Sequence, residues 1–515
     1  EKDLLAYYSE QFGFPLLNLA QQSIHRTLLK YVPYHLAKKY NVIPVNLSEG
    51  TLTVVIPDPG LVSLLRGELQ SKSLVLKFAL APKQQIEKAV IEHYQIHLLN
   101  SLGKEQVEVI NTEERKNRTE GEEGNQNVEE LASSVGAVAA VNSILEMAFV
   151  EKASDIHIEP QENFVRVRFR VDGLLEEKHI LPVKMLLPIV SRMKIISGMN
   201  IAEKRAPQDG RISLKIRGNL LDCRASCYPT VFGEKVVIRL LSKGGLKKLE
   251  QLGMFPEDCE RFKSWIKRPH GLLFVTGPTG SGKSTTLYSA LQMLNSIDRN
   301  IMSIEDPVEN EIAGVNQGQL NNKANMTFAS AMRSMLRQDP DVIMVGEVRD
   351  PETAEMALRA ALTGHLVLST LHTNTAVGAV SRLINLGIPN YLLSAALVGV
   401  LGQRLVRKIC IDCIEEYEDE EGEGQALGLA KGTKLFRGKG CSNCRETGFT
   451  SRVGIFELFT VTEELRKIID SGGKDEHIAE AAKNYGYTYM IEDGRKKVTQ
   501  GITTVSEVLR VTEAF

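Results

Sequence analysis

One stretch leaves this chain little freedom in how it can fold: Leu272-Leu273-Phe274-Val275-Thr276-Gly277-Pro278-Thr279-Gly280-Ser281-Gly282-Lys283-Ser284-Thr285-Thr286-Leu287. An apolar run rich in β-formers ends at Thr276, a glycine-rich turn follows, and a helical pattern opens at Lys283. Gly277, Gly282, Lys283 and Ser284 fit the template G-x-x-x-x-G-K-[ST] in the strand–loop–helix setting it requires. Glycines let the backbone curl so that successive N–H groups point at phosphate oxygens, and the helix N-terminus adds its partial positive charge. In such a cradle Lys283 reaches the β- and γ-phosphates and Ser284 binds Mg²⁺, while Pro278, Thr279, Gly280, Ser281 and Thr285 complete the wall. The bland alternative is a glycine-rich connector that matches by chance; the complete motif in its proper setting argues against it. A nucleoside triphosphate is the expected ligand.

Composition narrows the classes. A chain of 515 residues suggests three or so domains, and 43% hydrophobic with 24% charged residues is ordinary for a globular protein. The net charge of −2 makes no global case for nucleic acid. No apolar run reaches the length that spans a bilayer: Val135–Val150 carries Asn142 and Glu146, and Tyr391–Gly402 is brief. The sequence begins at Glu1 and shows no secretory pattern. Four of the seven cysteines form two Cys-x-x-Cys pairs, which reads as metal rather than disulfide. Cys223, Cys227 and Cys259 read as small core or surface residues of a reducing compartment, so a cytosolic protein is expected.

Four segments follow along the chain. Residues 1–102 alternate helix and strand signals: helices at Ile24–Tyr31, Tyr34–Tyr40, Leu61–Ser71 and Pro82–Tyr94, strands at Val42–Asn46, Thr51–Pro57 and Leu74–Ala79. This small α/β domain has no catalytic constellation. Its His93/His97 pair has i, i+4 spacing that could hold a metal, but two exposed helix histidines are the simpler account. Docking is its expected role. Residues 103–130 are charged and rich in Glu, Asn and Gly, with almost nothing to bury, and read as a flexible linker. Residues 131–245 form a second α/β unit, with helices at Val135–Ala153 and Val183–Met199 and strands at Ser154–Ile158, Val165–Val171, Arg211–Ile216, Leu220–Cys227 and Lys235–Leu241. Asp172-Gly173 marks a hairpin. Arg166, Arg168 and Arg170 alternate, so they share one sheet face. A solvated face explains most of the arginines here; a subset could reach a nucleotide held by a neighbouring domain or subunit. Residues 246–515 carry the phosphate loop in a larger α/β pattern that ends in mostly helical segments.

Further chemistry clusters after the loop. The strand Asn300–Glu305 runs into Asp306-Pro307-Val308-Glu309, whose carboxylates could hold Mg²⁺ or activate water, or could be a solvated acidic loop. Asp341 precedes the buried-strand run Val342–Val345, and Glu347 follows it, which places Glu347 at the carboxyl edge of a doubly wound sheet. His365 and His372 bracket the apolar strand Leu366–Leu371; next to a triphosphate site they suggest a γ-phosphate sensor rather than core histidines. Cys410, Cys413, Cys441 and Cys444 have the spacing of a closed, structural Zn²⁺ site. The loop between them carries Glu415, Glu416, Glu418, Asp419, Glu420, Glu421 and Glu423, which argues against a phosphate backbone as partner.

These blocks, in this order, resemble the secretion-ATPase family, the cytoplasmic motors of bacterial type II secretion and type IV pilus assembly. The resemblance runs from about Ala153 to the C-terminus and is looser over residues 1–100. Gly277–Thr286 is similar to the family's Walker A, Ile304–Glu309 to its Asp box, Leu336–Asp350 to its Walker B signature, and Thr363–Asn374 to its His box. The fold this implies is an N-terminal α/β domain, a PAS-like α/β second domain, and a RecA-like ATPase domain with a zinc-binding subdomain spanning 410–444. The roles it implies are Glu309 as general base, Glu347 with Ser284 on Mg²⁺ and its water, and His372 as sensor of the γ-phosphate. Arg211 and Arg224 resemble second-domain arginines that reach a nucleotide on closure, and Arg333 and Arg337 resemble arginines near the active site. The resemblance further implies ATP, Mg²⁺ and Zn²⁺ as cofactors, a homohexameric ring, and docking of the N-terminal region on a cytoplasmic domain of an inner-membrane platform protein. The chain would then be cytoplasmic and peripheral at that membrane, with no nucleic acid expected. Retraction motors of the superfamily usually lack the tetracysteine element and the long N-terminal region, so the chain looks like an assembly motor. The Arg-Leu-Gly-type repeats through which some relatives bind cyclic di-GMP do not occur in residues 1–100. Two other classes remain as alternatives: a conjugation-type DNA translocase and an ATP-gated scaffold with little turnover.

Overall fold

The computed structural model describes residues 2–19, 22, 24–48, 50–69, 75–90, 107–109, 135–241 and 246–512. The expected His93/His97 pair and most of the expected linker, residues 110–130, lie outside the described residues. The chain divides into two compact units, Glu1–Lys243 and Gly244–Phe515.

The first unit contains two hydrophobic cores. In the N-terminal one, β1 (Ile43–Ser48) pairs antiparallel with β2 (Thr51–Ile56), which pairs parallel with β3 (Val75–Leu80). Leu52, Val54, Ile56, Phe78 and Leu80 bury against Leu36 and Ala37 of helix Tyr34–Tyr40 and Ile86 of helix Lys83–Val90. A helix at Lys2–Phe12 was not among the expected elements, and the segment after His25 is a 3₁₀ helix, Arg26–Tyr31.

The second core lies under a seven-stranded antiparallel sheet. Its strands are β4 (Val107–Val109), β5 (Asp155–Pro160), β6 (Phe164–Val171), β7 (Leu174–Pro182), β8 (Gln208–Ile216), β9 (Asn219–Thr230) and β10 (Gly233–Leu241), in the order β4-β8-β9-β10-β5-β6-β7. β4 falls inside the stretch expected to be linker and pairs with β8 as an edge strand. Strict alternation sends Val165, Val167, Phe169, Ile212, Leu214, Cys223, Ala225, Val236 and Ile238 to the face covered by helices Val135–Val150 and Leu186–Ser197. Asp172 and Gly173 both have positive φ, 47° and 91°, as a two-residue primed turn demands. Sequence reading found the turn but not β7 behind it, because a register shift at Val167/Arg168 interrupts the alternation.

The polar face of this sheet is ordered by ion pairs. Register sets Arg211, Arg224, Arg239, Asp155 and Arg170 side by side across five strands. Asp155 pairs with Arg239 at 2.9 Å and Arg170 at 3.6 Å. Glu159 pairs with Arg168 at 2.8 Å, Lys235 at 3.0 Å and Arg166 at 3.1 Å. Burial pushes the Glu159 carboxyl up, but Arg168 and Lys235 outweigh it and hold the group at about 2.

The second unit is a doubly wound sheet. Its strands are β11 (Gly271–Thr276), β12 (Ile301–Glu305), β13 (Asn316–Gln319), β14 (Val342–Val345), β15 (Leu366–Leu371), β16 (Leu397–Ile409) and β19 (Phe449–Thr460), in the order β13-β12-β14-β15-β11-β16-β19. All neighbours are parallel except β16 and β19. Trp265 and Phe262 of helix Pro256–Ile266 and Leu287, Tyr288 and Leu291 of helix Lys283–Leu294 form one of the unit's two main cores. The other is built on helices Phe328–Met335, Pro351–Leu362 and Gly378–Asn385 and the later helices Glu463–Asp470 and Asp475–Lys483. A hairpin, β17 (Ile414–Glu418) with β18 (Lys434–Gly438), carries the acidic loop. The expected helical ending is therefore preceded by three strands and a long β16. The apolar run Tyr391–Gly402 splits between helix Asn390–Ala396 and the start of β16. Among the described residues no helix is long and apolar enough to cross a membrane.

Candidate active site

Parallel pairing brings the carboxyl ends of β11, β12, β14 and β15 to one edge of the sheet. β11 is buried along its whole length and delivers the phosphate loop there. Gly277, Gly280 and Gly282 have φ of 147°, 80° and 90°, which residues with a Cβ rarely adopt. Gly277 has a second reason to be glycine: a Cβ there would lie 2.4 Å from the Gln403 carbonyl of β16. Gln403 also accepts a 2.7 Å hydrogen bond from the Thr286 hydroxyl, so β16 props the loop from beneath.

Lys283 Nζ donates to the Gly277 and Pro278 carbonyls at 2.8 and 3.0 Å. Burial brings its pKa down to about 8; the Glu347 carboxylate opposes this and the Arg404 guanidinium adds to it. Ser281 Oγ is buried with no hydrogen-bond partner. A phosphate oxygen would complete it, so the loop fits a polyphosphate by its own donor set. Ser284 and Thr285 are exposed at the start of helix Lys283–Leu294, where a metal ion could reach them.

Glu347, just beyond β14, lies 2.6 Å from Arg349 Nη2 and 3.6 Å from His372 Nε2. Burial and then the Lys283 charge lower the His372 pKa, so the imidazole is neutral near pH 7. The loop that carries His372 is fastened at three points. The Thr373 N–H donates to Thr276 Oγ1 at 2.9 Å, Arg404 Nη2 donates to the Asn374 carbonyl at 3.4 Å, and the Ala376 N–H donates to Glu457 at 3.0 Å. Glu457 is buried and also receives the Tyr487 hydroxyl.

His365 does not join the site. It precedes β15, where its Nδ1 lies 3.0 Å from the Ala360 carbonyl and its own carbonyl receives the Gly271 N–H at 3.1 Å. A six-residue strand separates it from His372, about 20 Å in extended backbone. The pair of bracketing histidines thus reduces to His372 alone. Asp341 is likewise at the far end of β14, where it accepts the Asn300 N–H at 2.7 Å.

The acidic box divides by role. Glu305 is buried and accepts from Ser303 Oγ at 2.6 Å, Gln317 Nε2 at 3.0 Å and the Tyr288 hydroxyl. Glu309 is exposed. Arg333 pairs with Glu352 at 2.5 Å, and Arg337 Nη1 donates to the Arg333 carbonyl at 2.8 Å. Their hydrogen bonds thus stay among the helices beside the sheet. Arg211 and Arg224 lie on the sheet of the first unit. Sequence reading missed Tyr288, Gln403, Arg404 and Glu457. For the last three the available signal was a polar residue inside an otherwise apolar strand run.

The four cysteines converge. Cys410, Cys413, Cys441 and Cys444 have sulfurs within 4.8 Å of one another. Three of the separations are 3.9, 3.8 and 3.7 Å. A tetrahedron with Zn–S bonds of about 2.3 Å has an edge of about 3.8 Å, so the thiols fit Zn²⁺. Cys444 Sγ accepts the Cys441 and Gly448 N–H groups at 3.1 and 3.2 Å. Desolvation pushes this thiol up, but those N–H groups prevail and bring it to about 7. In the acidic loop, Asp419 accepts the N–H groups of Gly422, Glu423 and Gly424 at 2.7–2.8 Å. Glu415 pairs with Arg437 and Lys439, and Glu416 with Lys434.

A phosphate loop, a strand-end carboxylate and a histidine gathered at the carboxyl edge of a parallel sheet define a phosphate-loop nucleoside triphosphatase. Residues 130–510 match the type II/IV secretion system protein family and residues 12–98 match the MshEN domain. The chain belongs to the type II/IV secretion system protein family, and within it is an ATPase. It is 42% identical over 513 residues to the type IV pilus assembly ATPase PilB of Thermus thermophilus, covering 97% of this chain and 56% of that protein. It is 47% identical over 377 residues to the type II secretion system protein E of Pectobacterium carotovorum, covering 73% of this chain and 76% of that protein. The crystal structure of the pilus retraction motor PilT with bound ADP matches with a TM-score of 0.50 at 28% identity, covering 72% of this chain and 95% of that one.

Proposed function

We propose that this chain is a hexameric, Mg²⁺-dependent ATPase whose domain movements drive pilus or pseudopilus assembly. The observation that carries the reading is the convergence of Lys283, Glu347 and His372 beside the phosphate loop. Lys283 exchanges its two carbonyl partners for the β- and γ-phosphates. Ser284 and Glu347 would hold Mg²⁺, which would supply positive charge to neutralise the phosphates. Glu309 accepts the proton of the attacking water, and neutral His372 hydrogen-bonds the γ-phosphate. Arg211 and Arg224 supply positive charge from the second domain of the same or a neighbouring subunit, as an arginine finger does. Catalysis is then positioning plus electrostatics. The MshEN-matching region docks the motor on the cytoplasmic domain of an inner-membrane platform protein, which holds the ring at the membrane. The four segments expected from sequence serve as docking domain, linker, arginine-bearing domain and ATPase domain with its zinc element, except that Val107–Val109 of the linker stretch joins the arginine-bearing sheet. The relatives do not favour the DNA-translocase or scaffold alternatives.

Two variants test this. Lys283→Ala should lose both ATP binding and hydrolysis. Glu309→Gln should bind a fluorescent ATP analogue within about threefold of the native chain yet lose turnover by about 10²-fold or more. Native turnover in Glu309→Gln would remove the general base from this reading.

A further inference from the structure

Tyr288 belongs to the helix that the phosphate loop opens, yet its buried hydroxyl faces the acidic box. It donates to Glu305 and accepts the Glu309 N–H at 3.0 Å. Gln317, from β13, bonds the same Glu305 carboxylate at 3.0 Å and donates to the Asn310 carbonyl at 3.0 Å. Ser303 closes the set from β12 at 2.6 Å. The backbone at Glu309–Asn310 is therefore gripped on its N–H side by Tyr288 and on its C=O side by Gln317, and both grips are anchored on one buried carboxylate.

We infer that Tyr288, Glu305 and Gln317 form a latch, buried at Tyr288 and Glu305, that fixes the backbone of Glu309 to the phosphate-loop helix, with Tyr288 as the positioning residue for the base. Glu305 is thereby a structural acceptor rather than a second metal or water ligand. The physical argument is one of distance: a general base acts only within hydrogen-bond reach of its water, and Glu309 stands on an exposed loop. The helix that presents Lys283 and Ser284 to the phosphates also presents Tyr288 to that loop. Phosphates and base are thus referred to one rigid element, and a shift of the helix moves both together. Burial and the Glu305 carboxylate both raise the Tyr288 pKa, so the hydroxyl stays protonated and able to donate throughout the working range.

The inference rests on Glu309 being the base, and the test separates the two. Hydrolysis and fluorescent-ATP binding are measured on the full chain for Tyr288→Phe, Glu309→Gln and the double variant. Tyr288→Phe should lower kcat by about 10- to 100-fold with KM and binding within about twofold, because displacement of a catalytic group costs rate rather than affinity. In the Glu309→Gln background the same change should cost nothing further, because a residue acting through another has no effect once that other is gone. If Tyr288→Phe keeps native kcat while Glu309→Gln loses it, the latch is overturned and Glu309 stands. If Glu309→Gln keeps native kcat, the base assignment fails first. If Tyr288→Phe costs the same factor in both backgrounds, its role is structural and the latch is overturned. Should Tyr288→Phe fail to fold, Gln317→Leu removes the other grip from a partly buried site. It should reproduce the kcat loss without a KM change, again only where Glu309 is present; native kcat in Gln317→Leu would overturn the latch.

Discussion

Lys283 is a buried cation waiting for an anion, and that makes its titration visible. With a pKa of about 8 in the nucleotide-free chain, it is charged below pH 8 and loses its proton as pH rises through 8. Triphosphate stabilises the charged form, so binding above pH 8 must take up a proton. Affinity should be constant below pH 8 and fall by about tenfold per pH unit above it, until the raised pKa of the bound state is reached. ATP affinity measured from pH 6.5 to 9.5 shows the bend; Lys283→Arg, which does not titrate there, should lack it. A flat native profile would mean that neighbouring groups hold Lys283 charged. The positions of Lys283, Ser284 and Glu347 at the carboxyl edge of the sheet were legible from sequence because they lie in contiguous motifs that follow β11 and β14. Tyr288, Gln403 and Arg404 were not, because their meaning lies in contacts across the fold: Thr286 and Gln403 are 117 residues apart. His365 was misread for a geometric reason, since residues flanking a six-residue strand sit at opposite edges of a sheet.

At the level of elements, the cysteine cluster ties down the base of a hairpin whose far part packs Leu435 and Leu427 against Val498, Val505 and Val508. β17 and β18 alternate exposed and half-buried residues along most of their length. The knuckles meet where the backbone passes so closely that a Cβ on Gly438 would lie 2.1 Å from the Gly448 carbonyl. A structural site of this kind adds folding energy outright. The expected metal content is one zinc per chain by elemental analysis. Cys413→Ser should lose it and lower the melting temperature, and a strong chelator should do the same to the native chain. Full zinc retention in Cys413→Ser would contradict four-thiolate ligation. The cysteine spacing was readable, as were the five strands of the arginine-bearing sheet that alternate cleanly. The interrupted β7, and the β16 whose buried residues run without alternation, were not.

For the whole molecule, the charge pattern and the relatives bear on how copies work together. The first unit presents Arg211 and Arg224 in register on adjacent strands. The proposed role for these arginines has a kinetic consequence, since a nucleotide site that needs an arginine from another subunit turns over only when the subunits meet. The most direct measurement is the specific rate of ATP hydrolysis over a thousandfold range of protein concentration, with mass determined on the same samples. A ring with shared sites predicts a per-chain rate that rises steeply as hexamers form and stays near background where the chain is monomeric. A per-chain rate that is the same for monomer and hexamer would contradict it, and would place the complete catalytic site within one chain.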